Sequence, residues 1–358
     1  MQDAFEKIIC DSDTALFRAA KFIQEDYVIV THKASGKTME FQNQTAFWGH
    51  WAKKAGGWLA EKNEERVEKG LNPFTPEDFE IEECARLSPE ITNHLAEAEK
   101  TFDFYVGHIK KIANCKDYEL VIGGKDNFRY DAAHILPYKG ERKDKPILFE
   151  EVRDLILTKY KNKVTVTEGI EADDYLGIKG FENYQHYLKT KEWKYLLCYI
   201  DKDLDMIISP SVNPDKVEDG IKYTTPEMAA ECFCLQLLSG DKSTDNIQGL
   251  PNFTEEIQTK YKLGKTRGVG KATAEKYLDG CTSIKEMFGR VVEAYRSYYG
   301  DDVQILKSHR GDELEYTWLE YLQENAILLW MMRTPDEKYD ITSTLDKLGI
   351  DYADSQTN

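Results

Sequence analysis

The sequence predicts an α/β protein with a mostly parallel central sheet flanked by helices, followed by a helical region. Three observations point there. Short apolar runs recur at Glu6–Cys10, at Tyr118–Gly123, from Val164 and at Lys194–Ile200, with helix-patterned segments between them. Each run leads into acid: Asp11 and Asp13; Asp126; Glu171, Asp173 and Asp174; Asp201, Asp203 and Asp205. From about residue 225 the strand pattern gives way to helices. The 358 residues, 41% hydrophobic and 31% charged, suit a globular chain with a sizeable core rather than a disordered one.

In order along the chain, E-K-I-I-C reads as a buried strand, and a helix follows through Lys21. Tyr27–His32 and Lys37–Phe41 flank Ala34-Ser35-Gly36 as a β-hairpin. Residues 43–113 are helical in pattern, broken at Gly56-Gly57, Pro73, Pro76 and Pro89. Their Trp48, Trp51 and Trp58 read as core. Y-E-L-V-I-G is the second buried strand, followed by G-K-D-N-F-R-Y-D and L-P-Y-K-G-E-R-K-D-K. A helix near 147–160 leads to V-T-V-T-E-G-I-E-A-D-D, where Gly169 separates a short strand from a helix opening on three carboxylates. K-Y-L-L-C-Y-I is the fourth strand and runs into D-K-D-L-D.

Ligands of parallel sheets bind at the carboxyl ends of the strands. If these strands share one sheet, their acids meet at one edge, where they repel unless cations neutralise them. Oxygen-only ligands favour hard ions, so the cluster is a candidate site for two Mg²⁺ or Mn²⁺ ions and phosphodiester chemistry. Asp13 and Asp205 read as supporting or surface acids, and Glu168 as a loop carboxylate. The seven histidines are scattered and carry no assigned chemistry.

The formal net charge of −17 alone argues against a nucleic-acid partner. The local charge does not: Lys260, Lys262, Lys265, Arg267, Lys271 and Lys276 face Glu275 alone within Thr259–Lys276. There, Gly268-Val269-Gly270 allows a tight turn between helices and offers backbone N–H groups to a phosphate. G-V-G-K-A-T is not a phosphate-binding P-loop, because the first glycine is missing and Ala272 follows the lysine. Residues 301–358 read as helical with aromatic anchors Trp318, Tyr321 and Trp330, fraying over Asp351–Asn358. No apolar run approaches the roughly 20 residues of a membrane span, and the polar N-terminus is no signal peptide. Seven cysteines without a C-x-x-C pair predict reduced thiols in a cytoplasmic protein, and Cys232 with Cys234 lacks the partners for zinc.

Taken together, E-A-D-D, Y-K-G-x-R, D-x-D, G-D…D-N-I-x-G and G-V-G-K-x-T-A occur in the order of one family. The chain resembles the flap endonuclease or 5′-nuclease superfamily, most of all bacteriophage 5′→3′ exonucleases and the 5′-nuclease domain of bacterial DNA polymerase I. The resemblance covers roughly residues 6–18 and 118–280 and implies a PIN-like nuclease fold. It also implies a metal-dependent 5′→3′ exonuclease or flap endonuclease of DNA replication or repair, using in-line attack of an activated water. By that resemblance Asp11, Glu171, Asp173, Asp174, Asp201, Asp203, Asp241 and Asp245 are metal acids, with Asp174 also catalytic. Lys139 and Arg142 would neutralise the phosphate. Tyr138, Lys139 and Arg142 match the base of an arch or clamp that admits a single-stranded 5′ end, with Arg129 a further DNA contact and Tyr138 stacking on a base or packing. Lys265, Arg267, Gly268, Gly270, Lys271 and Thr273 would grip duplex phosphates in a helix-hairpin-helix element, with K⁺ on its backbone carbonyls. Implied partners are DNA with a 5′ end or flap, an RNA–DNA hybrid and replication proteins, in a host cytoplasm if phage-encoded.

The sequence departs from the family in two places. Gly123-Gly124 stand where the family has an aspartate, which leaves Asp126 as the substitute, and G-D-K-S-T-D-N is one residue longer than usual. The expected organisation is a nuclease domain over 1–224, with a helical insertion at about 43–113 and the arch at about 125–163. A helical duplex-binding region at 225–300 and a helical C-terminal segment at 301–358 follow. The rival readings are a PIN-like ribonuclease, disfavoured by the basic hairpin beside G-D…D-N-I, and a metal-less DNA-binding relative, disfavoured by the retained acids.

Overall fold

The computed structural model describes residues 5–50, 55–112, 115, 117–140 and 142–352. The chain begins β1 (Lys7–Asp11), α1 (Asp13–Phe22), β2 (Gln24–His32), β3 (Lys37–Phe41), α2 (Gln44–Trp48), β4 (Gly49–His50), β5 (Ala55–Gly56), α3 (Trp58–Glu68), β6 (Phe79–Leu87) and α4 (His94–Ile112). There follow β7 (Asp117–Ile122), α5 (Arg129–Ala132), α6 (Phe149–Lys159), β8 (Val164–Val166), α7 (Ala172–Thr190), β9 (Tyr195–Cys198), β10 (Pro210–Val212) and β11 (Lys222–Tyr223). The rest is α8 (Pro226–Ser239), α9 (Glu255–Lys260), α10 (Lys271–Leu278), α11 (Ile284–Tyr299), β12 (Gln304–Lys307), β13 (Glu313–Tyr316), α12 (Trp318–Leu329) and α13 (Ile341–Leu348). Two compact units result: residues 1–14, 106–144 and 160–358, and residues 15–105 with 145–159.

The first unit is built on a six-stranded sheet of order β11-β10-β9-β1-β7-β8. It is parallel throughout except for β11, which pairs antiparallel with β10 at the edge. Strand β1 lies in the middle, with Ile8, Ile9 and Cys10 fully buried, as expected of a strand covered on both faces. Its register sets Asp11 opposite Val121 of β7 and Cys10 opposite Cys198 of β9. The four predicted strands therefore do end together. Helix α7 packs Ala172 and Leu176 against Ile9, Val121 and Leu197. Buried Asn183 ties it to β9: its Nδ2 donates to Tyr195 O at 2.8 Å and its Oδ1 accepts from the Lys194 and Tyr195 amides. That satisfies a polar group which would otherwise be costly to bury.

Within the same unit, α8, α10, α11, α12 and α13 share one core that includes Phe233, Leu237, Tyr277, Tyr295, Trp318, Leu322 and Ile341. Tyr138 and Met206 belong to that core as well. The helical expectation for 301–316 is corrected: Q-I-L-K and E-L-E-Y pair antiparallel, Leu306 opposite Leu314, with Gly311 at φ 95° in the connection. Each segment is too short to lay an apolar face on a helix, whereas paired they satisfy each other's backbone.

The second unit holds an antiparallel sheet of order β3-β2-β6. The predicted hairpin is there, His32 opposite Lys37. The helical expectation for 43–113 fails at Phe79–Leu87, which runs as a strand along β2 for nine residues. F-E-I-E-E-C-A-R-L is rich in helix-favouring glutamate, but backbone pairing with a formed hairpin overrides that weak preference. Val28, Val30, Phe47, Leu59 and Phe79 form its core, against which Trp48 and Trp58 pack. Those two tryptophans are core, as expected. Trp51 lies outside the described residues.

Candidate functional site

All the candidate residues described below belong to the first unit. The parallel register delivers Asp11 from the end of β1, the turn into α7 after β8, and Asp201 from the end of β9 to one edge of the sheet. Asp13 opens α1 there, its amide donating to Asp11 Oδ1 at 3.0 Å.

At the end of β7, where no acid follows directly, the Gly123 amide lies 3.0 and 3.1 Å from the two oxygens of the Asp13 carboxylate. A Cβ on Gly123 would stand 2.8 Å from Asp13 Oδ2, so the carboxylate fills the space a side chain at 123 would enter. A Cβ on Gly124 would meet Thr167 O at 2.1 Å, which explains the second glycine. Asp13 is thus part of the edge, not a surface acid. Asp126, the substitute expected from the sequence, stands exposed in the following loop and is not among the leading charges acting on Asp11, Asp173 or Asp203.

The E-A-D-D segment divides its labour. Asp174 is completely buried, and Arg129, 1% exposed, grips it bidentately with Nη1 to Oδ2 at 2.6 Å and Nη2 to Oδ1 at 2.8 Å. The Glu171 amide donates to Oδ2 at 3.1 Å and the Met332 amide to Oδ1 at 3.2 Å. Four donors leave the carboxylate nothing to offer a metal. This runs against two expectations, Asp174 as a metal ligand and catalytic acid and Arg129 as a DNA contact: the carboxylate is fully bonded and the guanidinium faces inward. The remaining donors of Arg129 go to Leu328 O at 2.9 Å and Trp330 O at 2.6 Å, so its burial is fully compensated. Burial opposes its charge, but Asp174 outweighs that and raises its pKa further.

Glu171 faces Tyr138 and Lys139. Lys139 Nζ donates to Glu171 Oε1, and Tyr138 Oη lies 3.0 Å from Glu171 Oε2 and 2.9 Å from Asp245 Oδ2. Arg142 donates from Nη2 to Asp245 Oδ1 at 2.6 Å and from Nε to Thr244 O at 3.2 Å. The segment is stiff: Lys139 sits at φ 58°, its amide bonded to Asp245 O at 2.9 Å, and the Gly140 amide closes a turn on Pro137 O at 3.0 Å. Tyr138 is 5% exposed and packs into the helical core, in line with the packing alternative. The extra residue of G-D-K-S-T-D-N is taken up by a turn in which the Thr244 amide bonds Asp241 Oδ1 at 3.2 Å. Asn246 at φ 59° and the Ile247–Asp241 bridge then bring the chain back.

These acids act on one another. Burial, then the charge of Asp13, pushes Asp11 up to about 7, with Asp201 and Glu171 adding. Burial and the charges of Asp11, Glu171 and Asp201 raise Asp173 well above the carboxylate range. Burial and Asp201 raise Asp203 to about 6, and burial with Asp245 raises Asp241. Glu171 is the exception: burial would raise it, but Lys139 and Arg129 hold it low. Such a set of desolvated, mutually repelling oxygens is the chemistry of a hard-cation site. As the side chains stand, no three His, Cys, Asp or Glu among the described residues are close enough to hold an ion. Glu171 is held by Lys139, Asp245 by Arg142, and Asp13 by the Gly123 amide.

Gln236 of α8 went unnoticed in the sequence. It is 7% exposed, neither its Nε2 nor its Oε1 makes a close hydrogen bond, and the longer approach of its amide to Asp203 lowers that carboxyl's pKa. No local pattern marks a glutamine inside E-C-F-C-L-Q-L-L as special.

The basic segment runs irregularly between α9 and α10. Val269 is buried, while Lys265, Arg267, Gly270 and Lys271 are exposed. Gly270 caps α10, a Cβ there would meet nothing within 4 Å, and its carbonyl accepts the Thr273 and Ala274 amides at 3.0 Å. Among the described residues no helix is long and apolar enough to cross a membrane.

No family model matches the chain, and no curated protein matches its sequence. Among solved structures it is similar to the bacteriophage T5 D15 flap endonuclease in a pseudo-enzyme–product complex with DNA and metal ions. That match has 15% identity and a TM-score of 0.31, covering 64% of this chain and 90% of that one. The T5 D15 protein co-crystallised with metal ions matches at 15% identity and a TM-score of 0.30, over 55% of this chain and 81% of that one. A T5 5′-exonuclease mutant matches at 16% identity and a TM-score of 0.31, over 55% and 80%. At these values the likeness assigns no residue role, and the function below rests on this chain's own side chains.

Proposed function

We propose that the chain is a divalent-metal-dependent 5′-nuclease that hydrolyses DNA phosphodiester bonds as a 5′→3′ exonuclease or flap endonuclease in replication or repair. The observation that carries this is the convergence of Asp11, Asp13, Asp173, Asp201 and Asp203 at one sheet edge, with the cations of Lys139 and Arg142 fixed alongside. In this reading those acids, with Glu171, Asp241 and Asp245, hold two Mg²⁺ or Mn²⁺ ions, Asp13 taking the place left by β7. Hard cations held there supply charge neutralisation and a water of lowered pKa. Asp174 and Arg129 fix the start of α7, so that Glu171 and Asp173 keep their places. Lys139 and Arg142 can turn from Glu171 and Asp245 to the oxygens of a phosphate, Arg142 with a planar fork suited to them. The stiff turn at 137–140 limits how far they move, which keeps a bound phosphate in line.

Lys265, Arg267, Gly268, Gly270, Lys271 and Thr273 grip the duplex by its phosphates and read no sequence, with K⁺ on the hairpin carbonyls. Replacing Lys265, Arg267 and Lys271 together by Ala is expected to weaken duplex binding and flatten its salt dependence by about two to three in log–log slope. Fluorescence anisotropy across a salt series measures both.

The direct test is cleavage of 5′-labelled duplex and 5′-flap DNA in Mg²⁺, with Asp201→Asn as control. Mononucleotides released from duplex ends, or cuts at the flap junction, both lost in the variant, support the nuclease. Intact DNA in Mg²⁺ and Mn²⁺, with duplex binding retained, contradicts it.

A further inference from the structure

Residues 301–332 carry none of the candidate chemistry, yet they hold both sides of the contact between Lys139 and Glu171. On the loop side, Glu324 of α12 is 6% exposed. Its Oε1 accepts the His134 amide at 3.0 Å and the Ile135 amide at 2.9 Å, and its Oε2 accepts the Tyr316 hydroxyl at 2.5 Å. A buried carboxylate with three donors and no cation is tolerated only where those donors are well placed.

The tip of the β12–β13 hairpin adds to this hold. The His309 amide donates to His134 O at 3.1 Å, and its Nε2 lies 3.1 Å from Ala133 O. Arg310 donates to the carbonyls of Tyr130 and Asp131. On the helix side, the end of α12 fixes the start of α7. Leu328 O and Trp330 O accept from Arg129, and the Met332 amide donates to Asp174.

We infer that α12 and the hairpin before it form the brace that sets the distance between the 138–142 segment and Glu171, with Glu324 as its positioning residue. This rests on the nuclease reading for its functional consequence. The bland alternative is a carboxylate that only stabilises the fold. Against it stands the placement: the two amides Glu324 holds lie four and five residues before Lys139, and the turn that follows is tied down by Gly140 N to Pro137 O and by Asn246 Nδ2 to Pro137 O, both 3.0 Å. A shift of 134–135 therefore reaches Lys139 instead of dissipating in a loose loop.

The test compares Glu324→Ala with Glu324→Gln. The glutamine carbonyl can still accept both amides, and its NH₂ can meet the Tyr316 oxygen. Glu324→Ala is expected to lower kcat on 5′-end DNA by about 100-fold, as a misplacement near 1 Å does, with KM nearly unchanged because the 265–273 segment grips the duplex. Glu324→Gln is expected to restore kcat to within about threefold, and hydrogen exchange at the His134 and Ile135 amides to speed up only in the alanine variant. In a Lys139→Ala background, Glu324→Ala is expected to add little, since both act through one contact. Losses that multiply instead, or an unchanged kcat despite faster exchange, overturn the inference. Should Glu324→Ala not fold, Tyr316→Phe removes one donor only and is expected to lower kcat in the same direction by less; no loss overturns the brace. A native chain that cuts no DNA sinks the function proposed above on its own. The exchange rates then decide: equal protection of both amides in native and variant chains removes the brace as well.

Discussion

Asp173→Asn is expected to abolish cleavage while making the metal-free protein more stable. The two effects have one cause. Burial and the charges of Asp11, Glu171 and Asp201 disfavour the ionised Asp173 carboxylate in the folded chain, so its pKa lies well above the usual range. An acid whose folded pKa is raised costs stability once the pH exceeds its ordinary value, and neutral asparagine of the same shape removes that cost. The same charge is what a hard cation needs. Losing it should reduce the rate by about 10³-fold or more, roughly 4 kcal/mol of transition-state stabilisation. Thermal melting in chelator, beside a 5′-end cleavage assay, measures both. A variant that is less stable and fully active would remove Asp173 from the site.

Arg129→Ala is expected to be the most destabilising single change in the first unit. It leaves the fully buried Asp174 carboxylate without its bidentate partner, and the carbonyls of Leu328 and Trp330 without theirs. Breaking a buried pair from one side costs ~3–5 kcal/mol, here a melting midpoint lower by roughly 10 °C. Arg129→Lys should recover little, since one ammonium cannot reach two carboxylate oxygens and two carbonyls in a plane. Because the pair is shielded from solvent, added salt should leave this loss unchanged. A midpoint within 2 °C of native, read by calorimetry, would show the pair to be dispensable.

What could be read from the sequence was the sheet edge. Apolar runs that end in acid announce a parallel sheet with polar ends, because burial on both faces forces the run and the strand terminus is where burial stops. The hairpin of Tyr27–His32 with Lys37–Phe41 was legible for the similar reason that its connection carries a local backbone requirement, with Gly36 at φ 65°.

What escaped depended on distant partners. Arg129 sits among charged neighbours in G-K-D-N-F-R-Y-D and reads as exposed, yet Asp174, Leu328 and Trp330 bury it. Glu324 lies in W-L-E-Y-L-Q-E-N, where nothing marks that the two amides it accepts are some 190 residues away. The role of Asp13 appears only when the register places it against Gly123. Phe79–Leu87 follows its pairing partner rather than its own preference.

Hard cations bound at the sheet edge are what the proposed chemistry requires. Calorimetric titration of Mn²⁺ into the chelator-treated native chain, beside Asp173→Asn and Asp201→Asn, tests this without reference to any substrate. Saturable binding of two ions by the native chain, weakened at least about tenfold in each variant, is the expected result. No saturable binding, or the same isotherm in all three proteins, would contradict it.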